Sequence, residues 1–128
     1  MSRRPHPVPA SPDKRALVLS KATARAADNL GLSNTVLARV LGLSDSTISR
    51  LKAGAYVLEP DSKAYELAQL FVRLFRGLSA ITGGDDEAAR SWLRGPNTAL
   101  RARPIDRIVA IPGLFETVAY VDSRRARV

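Results

Sequence analysis

Apolar positions recur every three to four residues along most of this chain, and no segment sustains the period-two alternation of a strand. The pattern predicts an all-α protein. A first helix begins near Asp13, an N-cap by type, and runs to Leu30 with Leu17, Ala24, Ala27 and Leu30 roughly on one side; Gly31 stops it. Ser33 caps a second helix carrying Val36, Leu37, Val40 and Leu41 at helical spacing. Beyond the tight Leu41-Gly42-Leu43 turn, Ser44 caps a third, with Ile48 and Leu51 facing inward and Gly54 closing it. Ala55 to Pro60 is a connector. From Asp61 comes the longest pattern, with Ala64, Leu67, Leu70, Phe71, Leu74, Phe75, Leu78 and Ile81 forming one stripe over six turns until Thr82-Gly83-Gly84. That stripe is wide enough to serve the N-terminal helices and the C-terminal segment at once, and it is the first suspect for a dimer surface.

A second module follows. Asp85-Asp86-Glu87 places carboxylates at the positive end of a helix whose inward residues are Ala88, Ala89, Trp92 and Leu93. Gly95-Pro96-Asn97 breaks it, and a short helical turn carries Leu100. Pro104 suits the first turn of another helix bearing Ile105, Ile108 and Val109. Pro112-Gly113 opens the last one, with Leu114, Val118 and Val121 on one side. Trp92, the sole tryptophan, reads as the anchor of this module's core. The chain thus divides into a disordered proline-rich arm over residues 1–12 (Pro5, Pro7, Pro9, Pro12), a helix-turn-helix unit over 13–60, a connecting helix over 61–84 and a C-terminal module over 85–128.

Composition narrows the class. With 45% hydrophobic and 25% charged residues the chain is globular, and no run of some 18 apolar residues offers a membrane span. The N-terminus lacks the apolar block of a signal peptide, so a cytoplasmic protein is expected. Net charge is +8 and unevenly placed: residues 1–54 carry nine basic groups against three acidic ones, residues 55–128 eleven against nine. The excess lies with the helix-turn-helix, where binding to a phosphate polyanion would require it.

In a helix-turn-helix the second helix enters the major groove and presents its N-terminal residues to base edges. With Ile48 and Leu51 assigned to the core, that helix offers Asp45, Ser46, Thr47, Ser49, Arg50 and Lys52. Arg50 is the candidate for guanine, because its fork matches O6 and N7 together. Asp45 repels phosphate and fits only near the helix dipole or as an acceptor from a cytosine amine. Ser33, Asn34 and Thr35 open the preceding helix, whose unpaired N–H groups suit a backbone phosphate. Arg3 and Arg4 on the arm are candidates for a minor groove, although tails of this kind are more often disordered and idle.

Catalytic chemistry has little to draw on. There is no cysteine, and the single histidine, His6, lies in the arm. Gly83 and Gly84 lack the spacing of a phosphate loop, and the acids at 85–87 are explained by the helix start. The reading is therefore not an enzyme, and no cofactor or metal is expected.

Ser33–Gly54 resembles the Xre-type helix-turn-helix. Residues 86–104, DEAARSWLRGPNTALRARP, resemble the toxin-binding domain of Xre/MbcA/ParS antitoxins through Ala89, Arg90, Trp92, Leu93, Pro96, Asn97, Leu100 and Pro104. The resemblance implies an antitoxin that dimerises, represses its own operon at an inverted repeat and neutralises a RES-domain toxin that consumes NAD or uses it for ADP-ribosylation. It implies toxin contacts from Arg94, Asn97 and the C-terminal Arg124, Arg125, Arg127 and Val128. Two departures stand out: Arg101-Ala102-Arg103 replaces a glycine-containing turn usual before the proline, and the tail is arginine-rich. The alternative is a repressor of the same type without a toxin partner.

Overall fold

Seven helices make up the part of the chain that the computed structural model describes, residues 13–126. They are α1 (Lys14–Asn29), α2 (Asn34–Leu41), α3 (Asp45–Lys52), α4 (Lys63–Ile81), α5 (Asp86–Arg94), α6 (Pro104–Arg107) and α7 (Ile111–Arg125). The arm with Arg3 and Arg4, and the tail residues Arg127 and Val128, lie outside the described residues.

Most helix starts follow from local capping. Asp13 Oδ1 accepts from the amides of Arg15 and Ala16, while Ser33, Ser44 and Ser62 each accept from the amide three residues on. Asp85 takes the amides of Glu87 and Ala88, and Pro104 sits in the first turn of α6. Gly42 closes α2 in the left-handed region at φ 69°, which reverses the chain in time for the Ser44 cap.

α4 is the axis of the molecule. One face packs on α1 and α2, another on α7, and Phe71, Leu74 and Leu78 between them have no exposed surface. A single apolar cluster runs from Ala26 in α1 to Val121 in α7. The stripe on α4 is filled largely by neighbours within the chain. α4 and α7 cross closely at Gly77, where a Cβ would stand 2.5 Å from Val121 Cγ1.

Several expectations need correction. The packed face of α1 is Ala16, Ser20, Thr23, Ala26 and Ala27, with Leu17 and Ala24 only half-buried. Serine and threonine qualify for burial because Ser20 Oγ donates to the carbonyl of Ala16 at 2.6 Å and Thr23 Oγ1 to that of Leu19 at 2.7 Å. α4 begins after Ser62 rather than Asp61, which ends the connector in a left-handed conformation at φ 63°. Leu100 lies on no helix. It is carried by a closed turn in which the Asn97 amide donates to Ala102 at 3.2 Å and Asn97 Oδ1 accepts from the Leu100 amide at 3.0 Å. Trp92 is half-buried at the margin of the core, stacked on Tyr120 with ring centroids 6.3 Å apart.

Candidate functional site

The turn between α2 and α3 is braced from both sides. Leu37, Val40, Leu41, Ile48 and Leu51 bury the inner faces of the two helices. On the outside, Thr35 Oγ1 donates to Asp45 Oδ2 at 2.8 Å and ties the first turn of α2 to the first turn of α3. Asp45 thereby has a neutral partner at a helix N-terminus, a setting that suits a carboxylate. Ser44 Oγ, besides capping α3, is within hydrogen-bond distance of the hydroxyls of Ser46 and Thr47 at 3.2 and 2.8 Å.

The structure leaves Ser46, Ser49 and Arg50 exposed on one side of α3, with Thr47 half-buried beside them. Arg50 is held in place: Nη2 donates to Thr47 Oγ1 at 3.3 Å, and the guanidinium lies 5.8 Å from the centroid of Tyr56. Tyr56 had no signal in the sequence, because it sits in the irregular connector. Lys52 is placed differently from the others. Its side chain turns back to the end of α1, where Nζ donates to the Leu32 carbonyl at 3.4 Å and lies 3.7 Å from Asp28. Ser33 and Thr35 are exposed and Asn34 half-exposed at the start of α2, beside α3.

The C-terminal module is fastened to this unit by two arginines of α5. Arg90 Nε donates to the Asn29 carbonyl at 2.8 Å, and Arg94 donates to Leu30 and Gly31 at 3.1 and 2.9 Å. They sit at and just beyond the end of α1, where Asn29 is the last helical residue, Leu30 its C-cap and Gly31 the left-handed residue that follows. A helix end leaves such carbonyls without helical partners and negatively polarised. Arg94 therefore has an intramolecular role, and Asn97 holds the turn before α6. Arg124 and Arg125 lie exposed in the last turn of α7, with Arg124 Nη1 3.3 Å from the Tyr120 hydroxyl and its guanidinium 5.9 Å from the ring centroid. The sequence-predicted toxin residues thus fall in two places, one internal and one at a helix end. Two residues that periodicity did not single out, Ile111 and Phe115, stand one turn apart on the outer face of α7 at 53% and 65% exposure.

Residues 9–73 match the family model of the antitoxin Xre-like helix-turn-helix domain, just over half of the chain. The chain belongs to this antitoxin family. Residues 78–127 match the antitoxin Xre/MbcA/ParS C-terminal toxin-binding domain, so the second module of the antitoxin has a counterpart of its own. No curated protein matches the chain. The two matches meet within α4 and its C-terminal turn, the element both halves pack against. The antitoxin is a DNA-binding helix-turn-helix and a toxin-binding module built on one continuous core, and no helix among the described residues is long and apolar enough to cross a membrane.

Proposed function

We propose that this antitoxin neutralises a RES-domain, NAD-using toxin through its C-terminal segment and represses its own operon as a homodimer on an inverted repeat. The observation that carries the reading is the joining of two modules: a recognition helix with its polar face in solvent, and a toxin-binding module whose last helix ends in exposed Arg124 and Arg125. The toxin class rests on the resemblance carried by residues 86–104. An NAD site accommodates phosphates, so cationic side chains entering it compete with the substrate; Arg127 and Val128 extend the same end of the chain. Ile111 and Phe115 supply an apolar anchor for the toxin on the same helix.

On DNA, Ser46, Thr47, Ser49 and Arg50 face the bases, and Ser33, Asn34 and Thr35 hold a phosphate at the start of α2. Asp45, tied to Thr35, and Lys52, reaching back to Leu32 and Asp28, brace this surface rather than reading sequence. Two such helices related by a dyad lie about 34–36 Å apart on the duplex. Arg50→Ala should weaken operator binding by about 1–3 kcal/mol and relax preference at one base pair, read by titrating single-base operator variants.

The deciding experiment co-expresses the product of the adjacent reading frame with full-length protein and with a chain ending at Ser123, and measures NAD consumption. Suppression by the full chain and release by the truncation support the reading. A neighbour that neither binds nor consumes NAD overturns it and leaves a repressor without such a toxin.

A further inference from the structure

Residues of α1 and α4, with Arg125 at the end of α7, line a groove that combines apolar and cationic side chains. Its main cavity, about 660 Å³, is floored by Val18, Leu19, Ala22 and Val72 and rimmed by Lys14, Arg15, Arg73, Arg76 and Arg125. An adjoining cavity of about 360 Å³ shares Val18, Ala22, Val72 and Arg76, and adds Phe75, Lys21 and Arg25. Val18 lines both cavities and is 64% exposed, an apolar side chain that the fold itself does not use. No carboxylate lines either cavity, and among the described residues only Arg73 of the seven rim cations has an ion-pair partner, Asp122 at 2.7 Å.

We propose that this groove docks an acidic amphipathic helix of a protein partner. The chemistry selects the occupant. An apolar floor between two cationic edges is complementary to a helix with one apolar ridge flanked by carboxylates. From Lys14 to Arg25 the groove follows about three turns of α1, roughly 17 Å, the span of an 11- to 12-residue helix. A second copy of this chain is disfavoured, because the same face would set cations against cations. A nucleic-acid backbone would match the rim but leave the apolar floor unsatisfied, and a bilayer presents no ridge to enter a concavity. The site is separate from the recognition helix, and the proposal does not depend on the toxin's class.

The test uses full-length protein and a labelled 14-residue peptide with leucine at positions i, i+3, i+4 and i+7 on a glutamate background. Two controls accompany it: the same composition with the leucines dispersed around the helix, and a glutamate-only peptide. The facial peptide should bind at least about tenfold more tightly than either control. Val18→Asp and Arg76→Glu should each weaken it by about tenfold or more, with melting temperatures close to the parent protein's. Equal affinity for facial and dispersed peptides would mean charge attraction without a groove and would overturn the proposal. So would indifference to Val18→Asp, or displacement of the peptide by anionic lipid vesicles or duplex DNA from the Val18 surface.

Discussion

Ser20 is a polar residue on a buried helical face, and its hydroxyl makes two bonds there. It donates to the Ala16 carbonyl and accepts from the Leu58 amide at 2.8 Å, which anchors the connector between α3 and α4 onto α1. Ser20→Ala leaves the buried Leu58 N–H without its acceptor, so unfolding free energy should fall by about 1–3 kcal/mol in urea denaturation. Asp106 offers a titration at the other end of the chain. The hydrogen bond from Arg103 holds its carboxyl below the ordinary range, outweighing slight desolvation and aided by the guanidinium's charge. A depressed folded-state value means that the pair's small contribution is complete above the ordinary carboxylate value and lost as pH falls through the lowered one. Carbon-13 titration should place the Asp106 midpoint below that of an unpaired aspartate, and Arg103→Gln should move it upward.

Between elements, two glycines decide how closely helices approach. Gly77 lets α4 meet α7 at Val121, a β-branched side chain with 1% exposure and little rotamer freedom. Gly77→Ala gains about 1 kcal/mol of helix propensity but forces the crossing apart, and a net loss of about 1–2 kcal/mol is expected by thermal or chemical denaturation. Gly113 is the sharper case, since a Cβ there would lie 2.0 Å from the Arg107 carbonyl oxygen at the joint between α6 and α7. Backbone cannot step aside as a side chain can. Gly113→Ala should cost about 3 kcal/mol or more, visible as a lowered denaturation midpoint.

Across the whole molecule, the two modules share α4 and are locked by the α5 arginines on the end of α1. Those carbonyls also lie beside the Lys52 contact to Leu32, so the lock adjoins the recognition helix. Replacing Arg90 and Arg94 together by alanine should lower stability by about 1–2 kcal/mol, the exposed setting limiting the loss. Amide exchange should speed up in α5 and the last turn of α1 while α3 stays protected by Ile48 and Leu51.

Legibility divides along the same scales. Caps and periodic stripes act through neighbours within four residues, so Asp13, Ser33, Ser44 and Pro104 were readable, as were the inward faces of α3 and α7. The all-α class and the helix-turn-helix follow from those alone, and Arg50 was legible because exposure on α3 is the complement of Ile48 and Leu51. Contacts made across the tertiary fold, or through an irregular connector, have no local signature. That is why Arg94 proved to cap the end of α1, Lys52 to reach back to Leu32 and Asp28, and Tyr56 to support Arg50. Arg101, at φ 61°, occupies the left-handed position that a glycine would take without strain, and only the closed Asn97–Ala102 turn reveals it. The sequence by itself determined which residues form helices and which sides are apolar. The tertiary structure decided which apolar sides meet, and so which cations are bound internally and which remain on the surface for a partner.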